Sequence, residues 1–422
     1  MRAVMLLGLG LGVAVAGGSM TAQIAPPTAP GQRTCPVEKY AKTVGDGEHL
    51  DTVAIQKAID DCAAKGGGVV ELHGAPMFVS GPLELKSHIT LSIAEGTTLA
   101  GSENHEDYPA AEILHEPGLR GLLWAKNAQD IAIRGGGTID GRGQSWWLHP
   151  QTPRPRMIFF DHVKGLTMEN VTVENSPMWQ ITAYESENLT FRNMKILAPT
   201  PAGHNTDGID PFSSKHILID HVFIDTGDDN VAIKSGQPGS AGPDDPTVDV
   251  TIQDCTFLHG HGLSIGSEIA GGVQHVRVER ITFSGTTQGI RIKSGRDRGN
   301  DIGDFVYSDI TMENVGTAVQ VTDYYGGPKG GAAAVETVPV TRLTPHIHDV
   351  TIRNLKVTSA KNGLEVEGLP EAPIKGLTFD NVTITAQKAG RVAYADITAK
   401  NLTVTGADGQ PLTIGKEVTG IK

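Results

Sequence analysis

Asp207-Gly-Ile-Asp-Pro-Phe-Ser213, Asp229-Asn-Val-Ala-Ile-Lys-Ser235, His261-Gly-Leu-Ser-Ile-Gly-Ser267 and Gln288-Gly-Ile-Arg-Ile-Lys-Ser294 are four segments that fall into one register. Each opens on a polar residue, closes six positions later on Ser, and carries apolar residues between. Read as successive rungs of a parallel sheet, ~4.8 Å apart, they stack their leading residues into a column of Asp207, Asp229, His261 and Gln288. Asp228 then sits level with Thr206. Val231, Ile233, Ile290 and Ile292 point inward, while Arg291 and Lys293 point outward in line with Lys234.

The rest of the chain supports stacking. An octet of apolar-x-apolar-x-turn-apolar-x-apolar recurs at Leu166–Val173, Leu189–Ile196, Ile217–Ile224, Val250–Phe257 and Val276–Phe283. It returns at Phe305–Met312, Val350–Val357, Leu377–Ile384 and Ile397–Val404, with looser copies at Ile89–Ile93 and Ile131–Ile133. Starting points mostly 20 to 35 residues apart fit one solenoid coil plus loops of varying length. The fifth position is often Asn or Asp (Asn170, Asn193, Asp254, Asp309, Asn354, Asn381, Asn401). These residues tolerate the left-handed backbone, so a one-residue bend between two short strands is expected there. Some also match the N-glycosylation pattern, but the bend accounts for every copy.

Fixed pitch, apolar alternation and the lack of helical connectors or hairpin signals predict an all-β fold, a right-handed single-stranded parallel β-helix. A β-propeller, with blades of about 40 residues and hairpin turns, fits less well. One segment reads as a helix: Ile55, Ala58, Ile59 and Cys62 are spaced for one face, Asp51 is the expected cap and Gly66-Gly-Gly68 the stop. Such a helix would cap the N-terminal end of the stack. The gap between Met312 and Val350, with Tyr324-Tyr325-Gly-Gly, is expected to be a surface loop.

Arg2 precedes an apolar run from Ala3 to Ala16, followed by small residues up to Ala22. Residues 1–22 therefore read as a signal peptide, 23–34 as a mobile lead-in and 35–422 as one catalytic domain, secreted or periplasmic. The run is too short for a membrane span. In that compartment Cys35 and Cys62 could be bridged, leaving Cys255 as a buried thiol. A formal net charge of −13 argues against nucleic acid or an anionic membrane as partner. An acidic polymer would need a local basic site, which Arg291 and Lys293 could supply.

Clustered carboxylates raise at least one pKa, so one can serve as an acid and another as a base, as glycosidic cleavage requires. His261 titrates near neutrality and could tune that proton inventory. Arg291 and Lys293 could hold a sugar carboxylate. Hydrolysis of an acidic polysaccharide is the expected chemistry. Against it stand readings of the aspartates as turn residues, or of Asp207, Asp228 and Asp229 as Ca²⁺ ligands. His259 and His261 lack a Cys or third His, and no metal or cofactor is expected. Ser213, Ser235, Ser267 and Ser294 are expected to form a hydrogen-bonding ladder.

Asn205-Thr-Asp207, Gly227-Asp-Asp229, Gly260-His-Gly262 and Arg291-Ile-Lys293, in this order, resemble the four signature motifs of the polygalacturonases, glycoside hydrolase family 28. The similarity extends to Gly137-Thr-Ile-Asp-Gly141 with Trp146-Trp147, to Asn175-Ser-Pro-Met-Trp179 and to Ser264-Ile-Gly-Ser-Glu268, and looks closest to bacterial endo-acting members. The resemblance implies a pectin-lyase-like β-helix, acting as a monomer on polygalacturonate (pectin homogalacturonan) with inversion. It implies Asp228 as general acid, Asp207 and Asp229 as activators of water, and His261 as a modulator of Asp228. Asn205, Arg291, Lys293 and Tyr325 (or Tyr324) would bind substrate. Inverting carboxylates stand ~6.5–9.5 Å apart, whereas register alone brings Asp207 and Asp229 to roughly 5 Å, so the stereochemistry rests on the resemblance. Endo attack is expected, exo attack being the alternative. A Ca²⁺-dependent pectate lyase and a non-catalytic carbohydrate-binding β-helix are the other rivals.

Overall fold

The computed structural model describes residues 33–41, 45–149, 153–327 and 336–421. The expected signal peptide and nearly all of the expected lead-in lie outside the described residues, and Thr34 already belongs to the first strand, Thr34–Pro36. The architecture is a parallel β-helix, with the right-handed sense that parallel crossovers take. Among the described residues, every ladder between strands is parallel except one hairpin, and no helix is long and apolar enough to cross a membrane.

The nine octets stack in one register. Leu166, Leu189, Ile217, Val250, Val276, Phe305, Val350, Leu377 and Ile397 are successive partners. Alternate residues of each rung fill the interior, where the rings of Phe257 and Phe283 meet edge to face at 5.3 Å. All seven expected bend residues have φ between 51° and 57°. His221 (φ 52°) and Arg280 (φ 57°) take the same slot without being Asn or Asp. A left-handed residue of that kind costs about 1–2 kcal/mol, so the stacked neighbours impose the bend where the residue type does not favour it.

The helix spans Thr52–Ala63 and buries Ala54, Ile55, Ala58, Ile59 and Cys62. Asp51 stands at its N-cap, but its side chain does not cap. It accepts the Gly45 backbone N–H at 3.1 Å instead, so the expected cap serves the loop before the helix. Cys35 and Cys62 are bridged, tying the first strand to the helix. Cys255 is buried and free, its thiol pushed up to about 12 by burial.

Three features depart from the sequence reading. The hairpin pairs Ala110–Ile113 with Glu116–Leu119. Its turn residues Leu114 and His115 have φ of 54° and 64°, a conformation that normally announces itself as Asn-Gly, so no signal marked it. A short helix covers Gln144–Trp147, with Trp146 stacked on His105 at 3.6 Å. The gap after Met312 is not all loop, because Val315–Thr322 continues the sheet that carries the site.

That sheet has twelve strands from Leu83–Glu84 to Thr413–Ile414. Ile209, Val231, Leu263 and Ile290 are in register and fully buried. Two residues before each lie Asp207, Asp229, His261 and Gln288, and backbone bonds from Gly208 N to Asp229 O and from Asn230 N to Gly262 O hold that column together. The serine column forms no ladder. Ser235 donates to Gly272 O, Ser267 to Glu268 Oε1 at 3.2 Å, and Ser294 Oγ has no partner among the described residues. Stacking equalises backbone positions, but each hydroxyl turns to whichever loop lies over it.

Candidate active site

The outward column converges on Asp228. Its Oδ1 lies 2.9 Å from His261 Nδ1 and accepts the Asp229 backbone N–H at 2.8 Å. Its Oδ2 accepts Asn205 Nδ2 at 3.3 Å. Asn205 is held in turn by Arg154, whose Nη2 donates to Oδ1 at 2.7 Å. Asp229 is 1% exposed and ion-paired with Lys293 Nζ at 2.7 Å. It also accepts from Ser264 Oγ at 2.8 Å and has Arg291 at 3.7 Å. Arg291 Nε donates to Gln320 at 3.1 Å, which fixes the guanidinium beside the cluster.

Tyr325 and Tyr324 divide cleanly. The Tyr325 ring lies 5.4 Å from the Arg291 guanidinium and 5.2 Å from Lys293 Nζ. The Tyr324 hydroxyl instead donates to Gly368 O at 3.0 Å, and its ring packs against Ala393 and Tyr394. Seven of the eight residues singled out from the sequence are linked by these contacts, with Tyr325 as the tyrosine beside the cations, and the buried Asp207 feels the charges of Asp228 and Asp229.

The electrostatics decide where protons sit. Burial would raise Asp228, but the hydrogen bond and charge of His261 outweigh it and hold its pKa at about 2. The same bond raises His261 against its own burial. Burial, then the charges of Asp210 and Asp228, pushes Asp207 well above the ordinary carboxylate range. In the free protein the pair Asp228–His261 therefore holds its proton on the imidazole, and Asp207 binds its proton more tightly than an ordinary carboxylate.

Several groups went unassigned in the sequence reading. Asp210 is fully buried, is raised by burial despite the nearby Lys234, and neither of its oxygens has a hydrogen-bond partner among the described residues. Lys234 pairs with Glu268 at 2.8 Å. Asn230 carries the turn between rungs, accepting Gly262 N at 2.9 Å and donating to Leu258 O at 3.3 Å. Trp179 lies 4.2 Å below the Arg156 guanidinium and 4.7 Å from Lys234 Nζ. Asp210 was legible in principle, as a polar residue at the outward position between inward Ile209 and Pro211. Arg156 lies before its strand, where no repeat pattern points to it.

Ligand atoms of Asp228, Asp229 and His261 lie close enough together to suggest a cation site. Asp228 Oδ1 and His261 Nδ1 are committed to each other, and the Asp229 oxygens to Ser264 Oγ and to the Lys293 ammonium at 2.7 Å. In the other such group, Asp254 is held by Arg280 through two bonds of 2.8 Å. Neither donor set suits a metal.

Comparison with known proteins places the chain in a family. The sequence model of Glycosyl hydrolases family 28 matches residues 70–412. A probable polygalacturonase of Vitis vinifera is 32% identical over 374 residues, covering 83% of this chain and 74% of the relative. An endo-polygalacturonase of Pectobacterium carotovorum subsp. carotovorum is 32% identical over 379 residues, covering 84% and 87%. Among solved structures, the polygalacturonase of Erwinia carotovora ssp. carotovora superposes with a TM-score of 0.62 at 26% identity over 94% of this chain and 99% of that one. An exopolygalacturonase of Thermotoga maritima superposes with a TM-score of 0.73, covering 94% and 93%, and at 24% identity the likeness is one of fold.

Proposed function

This chain belongs to glycosyl hydrolase family 28, and from that premise we propose that it hydrolyses the α-1,4-galacturonosidic linkages of polygalacturonate with inversion. The observation that carries the reading is the Asp228–His261 pair at 2.9 Å, set between the Asp207–Asp229 column and the cations Arg291 and Lys293. A polymer of uronic acids needs both a proton donor for the leaving oxygen and cations for the flanking carboxylates.

Asp228 is the general acid. Substrate carboxylates and the expulsion of water raise its proton affinity, so the proton held by His261 passes across the short contact to Asp228 and on to the leaving oxygen. Asp207 and Asp229 position the attacking water on the opposite side, and Asp229, ion-paired with Lys293, accepts its proton. One C–O bond breaks, the hydroxide of the water joins the anomeric carbon, the proton relayed from His261 ends on the leaving sugar, and the water's proton, left on Asp229, returns through solvent to the Asp228–His261 pair. Arg291, Lys293 and Asn205 bind carboxylates and hydroxyls next to the bond, with Tyr325 packed over the cations. Residues 35–422 serve as one catalytic domain exported by the signal at 1–22.

Release of reducing ends from polygalacturonate in the presence of a chelator, with no unsaturated ultraviolet-absorbing product, is the expected result. Ca²⁺-dependent release of such a product would identify a lyase instead, and binding without cleavage a non-catalytic protein.

The raised His261 also sets a pH dependence. Its proton is present below the ordinary imidazole value and is lost as pH rises through its own raised pKa, so the activity profile falls on that alkaline limb. In His261→Gln the limb should move to lower pH, because the proton must then be held by the Asp228 carboxyl alone. A limb that stays in place in kcat profiles would remove His261 from the proton path.

A further inference from the structure

The sheet that carries the site has one end of its outer face covered. Trp124, Phe159, Tyr184 and Phe212 lie at outward positions of the rungs up to and including that of Asp207. Aromatic rings there would ordinarily face water. Phe159, Tyr184 and Phe212 are nevertheless 3%, 8% and 1% exposed, because Ile113 and Leu114 of the hairpin complete one apolar cluster with them. At the hairpin turn His115 Nε2 lies 2.8 Å from the Tyr184 hydroxyl, and just beyond the hairpin Arg120 stacks on Trp124 at 4.0 Å. The hairpin is thus packed down as a wall.

What lies between the wall and the acid cluster is chemically specific. Register places Trp179 one rung and Arg156 two rungs before Asp207 in the same column, a span of roughly 10 Å at the spacing of parallel strands. The Arg156 guanidinium lies over the Trp179 ring at 4.2 Å. Its Nε has no hydrogen-bond partner, and no carboxylate is ion-paired with it among the described residues. A sugar chain crossing the site in this direction meets the Trp179 ring and the Arg156 guanidinium, with the hairpin packed alongside over the rungs of Phe159, Tyr184 and Phe212 and the charges of Asp210 and the hairpin's Glu116 acting on Arg156.

Resting on the hydrolase reading above, we propose that the hairpin Ala110–Leu119 stops the cleft on this side and that Arg156 receives the carboxylate of the terminal uronic acid. The protein then cleaves polygalacturonate from a chain end and releases short products of fixed length. The wall sets the product length and the guanidinium selects an acidic end sugar, since a planar cation suits a carboxylate.

Size-resolved products of wild-type digestion of long-chain polygalacturonate test this directly. The expected result is a short product of one size from the earliest time points, with viscosity almost unchanged per bond broken. An early ladder of intermediate oligomers would overturn the wall while leaving hydrolysis intact. Absence of any new reducing ends would instead overturn the hydrolase reading on which it rests. Arg156→Gln is expected to raise KM for a galacturonate trimer about tenfold, equivalent to ~1.4 kcal/mol, with Arg156→Lys recovering part of it. An unchanged KM in Arg156→Gln removes the guanidinium from the site. Replacing residues 111–118 by a short Gly-Ser turn should make viscosity fall faster per bond broken, and an unaltered ratio in a folded variant would also count against the wall.

Discussion

Asp228→Asn is expected to lower hydrolysis of polygalacturonate by about 10³-fold, within the range that removal of a positioned general acid produces. The amide has the size of the carboxyl and its single oxygen can still accept the Asp229 backbone N–H, so the fold should survive the loss of the longer bond from Asn205. What it cannot do is relay the proton that His261 holds 2.9 Å away. Reducing-end assays on a variant with wild-type thermal unfolding provide the measurement. Activity within about tenfold of wild type would assign the acid elsewhere, the raised Asp207 being the next carboxyl to test.

Lys293→Met should be the most destabilising single change in the site. Asp229 is almost wholly buried, and Lys293 Nζ is its close ion partner. Removing one member of a buried pair leaves the other charge uncompensated, typically at a cost of about 3–5 kcal/mol. Ser264 and the more distant Arg291 remain near the carboxylate but do not replace a direct ammonium contact. The double variant Lys293→Met, Asp229→Leu should recover much of the lost stability, because a buried pair replaced by apolar groups of similar volume is often neutral. Both variants should be inactive. A single variant that unfolds within about 0.5 kcal/mol of wild type would show that the pair contributes little to the fold.

The site electrostatics carry a consequence for pH. Asp228 is depressed, so its contribution to stability is present above the ordinary carboxylate range and is lost as pH falls through about 2. His261 is raised, so its contribution is present below the ordinary imidazole range and disappears as pH rises through its own higher value. The pair is therefore intact across the mildly acidic range in which the proposed reaction has its proton in place.

The rung register was legible because a solenoid repeats locally. Alternation within each segment assigned Val231, Ile233, Ile290 and Ile292 to the interior and Arg291 and Lys293 to the outside, and the common register put Asp207, Asp229 and His261 in one column. Stacking then made neighbours of residues a coil apart, and the Asn and Asp bends repeated with it. That translational logic places residues a coil apart in one column. It failed where a feature does not repeat. The Leu114-His115 turn has no characteristic residue pair, and Asp51 and the serine column bond to loops whose paths the repeat does not encode.

Chain chemistry alone determined the coil, its inward and outward faces, and the column of acids beside the cations, because those follow from periodicity within each segment and its repetition from coil to coil. Only packing between distant segments decided that His261 holds the proton of Asp228, that Asp207 is raised and that Tyr325 lies beside the cations. The same packing covers one end of the outer face with a hairpin. Proton affinity depends on the burial and charge that surrounding elements supply, and a wall exists only where a non-repeating insertion finds apolar rings to cover.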